Sequence, residues 1–327
     1  MELAQPFVRL PFQFDAAQLQ RELAQFEQTD WMEHPSKLDG NLAIPLISLH
    51  GTENNEFAGS MAVTAHLQRC EYMQQVMASF GEVLARSRLM RLNAGAEVSA
   101  HVDFNYHWYS RVRIHIPIVT NPDVTFYCGD QSIHMRAGEC WIFDSWRRHN
   151  VVNAGADDRV HLVIDTAGSA RFWNMVREME VYDNHPDQPE LLAKIIERPF
   201  VPGSEVTIRT ERYNVAPVMA PGELEALARE LIADFSAHPA NNPAIVAEYT
   251  RLLQNLGKDW REIWHLYGYT RKGWGHYRNL LDNTMRQLRP DPRALVTASN
   301  QVGVNPIIVQ RILRAALHTE QIENFRS

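Results

Sequence analysis

The stretch Arg111-Val112-Arg113-Ile114-His115-Ile116 is decisive for the predicted fold, because charged and apolar residues alternate along it. Alternation with a period of two is typical of a β-strand, whose successive side chains point to opposite faces of a sheet. The apolar face belongs in a core. The charged face either meets solvent, as in a one-sided antiparallel sheet, or lines the interior of a barrel.

Further short β-prone runs surround this stretch between residues 87 and 165. Turn signals such as Asn93-Ala94-Gly95 and Asn153-Ala154-Gly155 separate them. Many short strands at this spacing predict a sandwich or barrel of the jelly-roll type within an α+β chain. The predicted strands are Leu89–Leu92, Arg111–Ile118, Val124–Tyr127, Ser132–Met135, Trp141–Phe143, His149–Val152 and Arg159–Ile164.

Helical periodicity flanks the predicted barrel on both sides. Before it we predict helices over 15–28, with Asp15 as N-cap, and over 71–86, with a strand at 43–49 between them. After it come a helix over 187–197 and a Pro- and Gly-rich boundary, so we predict one domain over 1–205 and a mainly helical domain over 206–327. The predicted C-terminal helices are Glu223–Phe235, Pro243–Leu256, Trp260–Tyr267, Trp274–Leu288, Pro292–Val302 and Pro306–Leu317.

Composition narrows the class of protein. The chain has 327 residues, of which 45% are hydrophobic and 22% charged, as expected for a folded soluble protein. A net charge of −7 argues against nucleic-acid binding through a broad basic face. Cys70, Cys128 and Cys140 form no CxxC pair, and no leader or long apolar run is recognisable, so we expect a cytoplasmic protein without a membrane partner.

A possible metal site begins at His101-Val102-Asp103, because the first and third side chains of an extended segment project to the same side. This pattern alone occurs often by chance. His149, followed on the next predicted strand by Arg159, makes a site more credible. Two imidazoles and one carboxylate can occupy one face of an octahedral Fe(II) ion and leave the other positions open, as in non-haem oxygenases.

Arg159 indicates a second ligand of the site beside the metal. A fixed guanidinium at that place can bind a dicarboxylate co-substrate in bidentate fashion. Fe(II), one ligating carboxylate and a 2-oxo dicarboxylate together carry one net negative charge, which Arg159 would neutralise. Arg113 and His115 can then hold the co-substrate's other carboxylate or an anionic group of the substrate. This count favours the interior position of the charged strand faces, because burying an unpaired arginine is costly.

Four segments resemble the aspartyl/asparaginyl β-hydroxylase family of Fe(II)/2-oxoglutarate-dependent oxygenases. They occur in this order: Arg111-Val112-Arg113-Ile114-His115, Trp141-Ile142-Phe143-Asp144, His149, and Arg159-Val160-His161-Leu162-Val163-Ile164-Asp165. The chain is also similar to the bacterial proline cis-4-hydroxylases, with which it shares Asp103.

The resemblance implies a double-stranded β-helix in which His101, Asp103 and His149 ligate Fe(II). It also implies that Arg159 binds 2-oxoglutarate with help from Arg113 and His115. The implied reaction uses O2 and hydroxylates an unactivated C–H bond of an amino acid, an amino-acid residue or a related small acid.

Two other functions stay open from the sequence. A cupin-type metalloenzyme would share the barrel and the histidines but would not need Arg159. A non-catalytic module would merely bind a small acid. The helical C-terminal part would either join two copies of the chain into a homodimer or form a wall of the substrate site.

Overall fold

The computed structural model describes residues 3–33, 39–182 and 188–325. Its strands are β1 Phe7–Phe14, β2 Met32–Glu33, β3 Asn41–Leu49, β4 Met61–Val63, β5 Val83–Leu92, β6 Glu97–His101, β7 Val112–Val119, β8 Val124–Cys128, β9 Gln131–Ile133, β10 Glu139–Phe143, β11 His149–Asn153, β12 Arg159–Thr166, β13 Ile196–Arg198 and β14 Arg209–Thr210. They form a ten-stranded sheet and a four-stranded sheet.

The eight strands from β5 to β12 pass back and forth between these two sheets. In the larger sheet the neighbours run β10-β7-β12-β5, and in the smaller sheet they run β6-β11-β8-β9. Two four-stranded layers wound in this order are a double-stranded β-helix. The predicted jelly-roll in an α+β chain is therefore confirmed. Strands β1, β3 and their neighbours extend the larger sheet at its two edges.

The chain folds into two compact units. The first contains Met1–His101 and Ser110–Arg212, and the second contains Val102–Tyr109 and Tyr213–Ser327. The helices of the first unit are α1 Ala16–Leu23, α2 Ala65–Gln68, α3 Glu71–Ser79, α5 Ala170–Met179 and α6 Pro189–Leu192. The helices of the second are α4 Tyr106–Tyr109, α7 Pro221–Ala237, α8 Pro243–Tyr267, α9 Trp274–Gln287 and α10 Val304–Ile307, which continues as a π-helical turn over Ile308–Leu313.

The first unit has two hydrophobic layers. The larger cluster includes helical side chains such as Met73 and Phe172 together with Ile114 and Leu162 from the central strands of the larger sheet. A smaller cluster, which includes Phe126 and Trp141, draws on strands of both sheets. The apolar face of β7 thus packs in the larger cluster, while its other face is available to the polar groups described below.

In the second unit, α7, α8 and α9 bury one apolar stripe each. Leu227 and Leu231 of α7, Leu253 of α8 and Leu281 of α9 are buried. The Trp260 ring lies 4.4 Å from the Tyr277 ring, and its Nε1 donates to the Met219 carbonyl at 2.9 Å.

Several predicted element boundaries differ from the structure. The predicted helix over 71–86 ends at Ser79, because the chain turns at Gly81, where φ is +63°, and enters β5. Of the predicted helix over 187–197, residue 187 lies outside the described residues. Pro189–Leu192 forms one turn of helix, and Ile196–Arg198 is a strand that pairs with β1.

In the second unit, Pro243–Leu256 and Trp260–Tyr267 form a single helix of 25 residues, because Gly257 packs inside α8 without breaking it. The predicted helix over Pro292–Val302 is wrong, and that segment consists of turns and a single bridge from Val296 to Gly303. None of the helices in the described ranges combines the length and apolar character that crossing a bilayer requires.

Candidate active site

His101 and His149 are cross-strand neighbours in the smaller sheet. They face each other in the pairing of β6 with β11, and their ring centroids are 4.3 Å apart. His101 and Asp103 were predicted to lie on one extended segment. In the structure β6 ends at His101, and Asp103 follows just after it. Ligand atoms of His101, Asp103 and His149 nevertheless all lie within 4.8 Å of one another. The structure thus brings the three predicted ligands together.

Backbone contacts orient both imidazoles. His101 Nδ1 lies 2.8 Å from the Ser99 carbonyl oxygen, and His149 Nδ1 lies 2.9 Å from the Arg147 carbonyl oxygen. A carbonyl oxygen only accepts hydrogen bonds, so each Nδ1 carries the proton. The lone pair of each ring is therefore on Nε2, the form in which histidine binds a divalent metal. Two imidazoles and a carboxylate fit Fe(II) in this state.

The turn before His149 is held by Asp144, which is completely buried. Its carboxylate accepts from the Trp146 amide at 3.0 Å, from Arg147 Nε at 3.0 Å and from the Leu3 amide at 3.2 Å. Because Arg147 supplies the carbonyl that orients His149, Asp144 acts on the ligand through this turn.

The segment around Asp103 is packed within the second unit. Arg311 Nε donates to the carbonyl oxygen of Phe104 at 3.1 Å, and the Arg311 guanidinium lies 5.2 Å from the centre of the Tyr109 ring. Tyr109 OH donates to Glu230 at 2.7 Å. The sequence predicts residues 105–109 to be a loop, either packed or a substrate lid. The structure has the short helix α4 there, with Trp108 buried.

Arg311→Met is expected to weaken metal binding about tenfold, because the Phe104 carbonyl next to Asp103 loses its donor and the carboxylate is held less firmly. Equilibrium dialysis against Fe(II) under anaerobic conditions measures the affinity. Arg314→Met is the matched control, since Arg314 is exposed and donates to Gln310 within its own helical turn. Equal affinities of the two variants would contradict a role for Arg311.

The charged strand faces are largely buried, with only Arg113 of these residues partly exposed, so the alternative that they meet solvent is wrong. Arg111 is 6% exposed and forms a two-point ion pair with Glu211, at 2.8 and 2.9 Å. Arg113 Nε lies 3.4 Å from Asp165 Oδ1, its cross-strand neighbour. Arg111 thus has a structural partner. Arg113, by contrast, also lines a cavity.

That cavity lies between the two sheets of the first unit. Its polar lining residues include His101, His149, Arg113, His115 and Arg159. Its apolar lining residues include Phe126, Phe143, Val151 and Val163. The predicted ligands from the strands and the three predicted co-substrate residues therefore face one space.

Arg159 is a buried cation at this cavity, and it is 5% exposed. Burial lowers the pKa of its guanidinium to about 9. Its Nη2 lies 3.3 Å from His161 Nδ1, and the guanidinium lies 4.8 Å from the centre of the Phe126 ring. Its Nε has no hydrogen-bond partner among the described residues. An anion that enters the cavity would neutralise the positive charge of Arg159 and accept a hydrogen bond from its Nε.

His115 and His161 are buried beside Arg159. Burial, reinforced by the nearby arginine charges, holds the pKa of both rings well below the usual value. From sequence, His161 reads as an ordinary structural histidine. The structure instead leaves its Nε2 and that of His115 without a partner among the described residues. In the sequence, the signal that could have placed His161 beside Arg159 was their i, i+2 spacing, which puts both side chains on one strand face.

We expect the metal-free protein to lose stability as the pH falls from about 7 to 5. The unfolded rings of His115 and His161 take up protons below their usual pKa, while the folded rings stay neutral. Each ring therefore lowers the free energy of unfolding with a slope that steepens through the usual histidine pKa of about 6.5 and approaches about 1.4 kcal/mol per pH unit below it. Urea titrations at several pH values measure the slope. His161→Leu should flatten it, and an unchanged slope would contradict the neutral state.

Comparison with known proteins finds a family that is similar to the region containing the candidate site. A family model described as aspartyl/asparaginyl beta-hydroxylase matches residues 17–168. The predicted family resemblance is thereby confirmed. The matched family region runs from α1 to the end of β12 and contains His101, Asp103, His149 and Arg159.

One curated relative and two solved structures are similar to parts of the chain. L-proline cis-3-hydroxylase 1 of a Streptomyces species is 30% identical over 140 residues, which are 39% of this chain and 48% of the relative. The chain thus spans about half the length of this relative. A 2OG-Fe(II) oxygenase family oxidoreductase from Burkholderia pseudomallei is 13% identical with a TM-score of 0.36, covering 47% of this chain and 78% of its own. A Pseudomonas putida prolyl-4-hydroxylase is 13% identical with a TM-score of 0.35, covering 50% of this chain and 92% of its own.

Proposed function

We propose that the protein is an Fe(II)- and 2-oxoglutarate-dependent oxygenase that hydroxylates an unactivated C–H bond of an amino acid or a related small acid. The observation that carries this proposal is a pairing of two features in one cavity. His101 and His149 both have their lone pairs on Nε2, and the buried cation Arg159 lines the same space. The first feature suits a divalent metal and the second suits a dicarboxylate.

His101, Asp103 and His149 would hold the iron. Their donor set of two neutral imidazoles and one carboxylate leaves positions for other ligands on an octahedral ion. When bound, iron with 2-oxoglutarate and O2 supplies an oxidant strong enough to attack a C–H bond, with succinate and CO2 as co-products. The chain's own task is to orient these groups, as Asp144 does for the turn before His149.

Arg159, Arg113 and His115 would hold the co-substrate. Arg159 offers a planar fork that matches a carboxylate, and its Nε lacks a partner among the described residues. Arg113 is balanced in part by Asp165, so it can share its charge with a second carboxylate. Phe126, Phe143 and Val163 line the same cavity and would exclude water from the reacting groups.

The similarity to an L-proline hydroxylase supports a small amino acid as the substrate. The test is to supply the iron-loaded protein with 2-oxoglutarate and a panel of free amino acids and short peptides, and to measure succinate. We expect succinate release to rise severalfold with a free amino acid, and a hydroxylated product of mass +16 to accompany it. Absence of any 2-oxoglutarate turnover at full iron loading would refute the proposal.

The domain division, the oligomeric state, the location and the class of partner are further proposals. We propose an oxygenase domain over 1–205 and a helical domain over 206–327 that forms a homodimer through its helices. We also propose a cytoplasmic location without a nucleic-acid partner, which the buried free thiols of Cys70, Cys128 and Cys140 support. Light scattering of the full chain tests the dimer.

A further inference from the structure

His161 connects two of the residues proposed to bind the co-substrate. Its Nδ1 lies 3.3 Å from Arg159 Nη2 and 3.4 Å from His115 Nδ1. The ring is stacked on Phe126, with centroids 5.3 Å apart and planes 18° apart. These contacts come from three strands, β12, β7 and β8, so the ring is fixed from several sides.

His161 itself does not line the cavity. Arg159, His115 and Phe126 do, and His161 lies behind them with no exposed surface. A direct contact with a bound ligand is therefore left to Arg159 and His115. Any effect of His161 on binding must pass through these two side chains.

The hydrogen-bonding roles at Nδ1 follow from the arginine. A guanidinium N–H can only donate, so His161 Nδ1 must present a lone pair to Arg159. The ring proton is therefore on Nε2. His115 Nδ1 faces the same lone pair and is attracted to it only when it carries its own proton. One acceptor atom thus serves both cavity residues.

We propose that His161 is a positioning residue for the dicarboxylate co-substrate: its Nδ1 lone pair sets the rotation of the Arg159 guanidinium and the orientation of the His115 ring. This inference rests on the proposed function. An arginine guanidinium pairs with a carboxylate in bidentate fashion only at a defined angle. If that angle is already fixed before binding, the entropy cost of ordering the side chain on binding is smaller. Without the acceptor, Arg159 keeps its charge but loses its fixed orientation.

Two substitutions separate this role from bulk packing. His161→Asn puts an amide oxygen near the position of Nδ1, whereas His161→Leu fills the space with no acceptor. His66→Leu is the control for loss of a buried histidine, because His66 lies on α2 and contacts Glu53, Asp30, Arg69 and Phe26.

The experiment is calorimetric titration of 2-oxoglutarate into protein loaded with redox-inactive Ni(II), together with KM and kcat of the iron enzyme. We expect His161→Leu to weaken 2-oxoglutarate binding about tenfold to a hundredfold, the range for losing one hydrogen bond to a charged group. The KM for 2-oxoglutarate should rise in parallel, while metal affinity and the KM of the amino-acid substrate stay unchanged. His161→Asn should recover most of the affinity.

Wild-type affinity in His161→Leu, or equal losses in the Leu and Asn variants, would overturn the inference. Wild-type protein that binds Ni(II) but no 2-oxoglutarate would overturn the proposed function itself, and the inference with it. If His161→Leu does not melt cooperatively, His161→Gln replaces it, because its amide reaches past the Nδ1 position. The same weakening is then expected, and equal affinity of the Gln and Asn variants would count against the role of Nδ1.

Discussion

His149→Ala is expected to lower Fe(II) affinity at least a hundredfold and to abolish 2-oxoglutarate turnover. The substitution removes one of three ligands, and the remaining His101 and Asp103 cannot hold the ion on one face. Loss of partners outside the ligand shell already costs about 10–100-fold, so loss of a ligand should cost at least as much. The variant should keep its fold, since the strand β11 pairs through its backbone. Anaerobic dialysis and a succinate assay measure the two effects.

His134→Ala is the matched control. His134 also has its Nδ1 bonded to a backbone carbonyl, that of Val124 at 2.9 Å, but it lies outside the cluster of candidate ligands. It should bind iron as the wild type does. A His149→Ala protein with wild-type iron content would mean that the metal is held elsewhere.

Arg159→Ala should weaken 2-oxoglutarate binding on the order of a hundredfold to a thousandfold, while iron affinity stays unchanged. Truncating a buried charged partner costs about 2–5 kcal/mol, much of it from the partner charge left unpaired. The ligand-free variant should be at least as stable as the wild type, because the buried guanidinium, with its pKa lowered to about 9, is removed. Calorimetry with Ni(II)-loaded protein and urea titration measure the two effects.

Arg148→Ala is the control for this experiment, since Arg148 is an exposed arginine immediately before His149. Arg159→Lys should recover little, because a point charge cannot replace the planar fork. An Arg159→Ala enzyme that keeps wild-type turnover would instead favour the cupin-type alternative, which has no need of 2-oxoglutarate.

Much of the barrel is predictable from sequence because its strands alternate in polarity. Each predicted strand from Leu89–Leu92 to Arg159–Ile164 has a counterpart in the structure. Strand β1 escapes this reasoning: Val8, Leu10, Phe12 and Phe14 do alternate with Arg9 and Gln13, but Pro11 lies inside the run and proline argues against a strand. The break predicted between Leu256 and Trp260 is absent, because Gly257 is buried inside the continuous helix α8. Tertiary packing overrides local preference at both places.

The candidate ligands were predictable from residue type and order, whereas their orientation was not. Sequence cannot tell that His101 and His149 pair across two strands, or that backbone carbonyls fix both Nδ1 protons. The contacts of His161 with His115 and of Asp165 with Arg113 could not be predicted from the sequence either. His161 and Asp165 lie on the same strand face as Arg159, but their partners His115 and Arg113 come from β7, which is distant in sequence.

The most direct test of the proposed metal and co-substrate site is an anaerobic titration of the metal-free protein with Fe(II) and 2-oxoglutarate, followed by visible absorption. We expect a charge-transfer band that appears only when both are present and that saturates at one iron and one 2-oxoglutarate per chain. The band should be absent in His149→Ala and shifted to much higher 2-oxoglutarate concentration in Arg159→Ala. Iron binding without any response to 2-oxoglutarate, or no iron binding at all, would contradict the site.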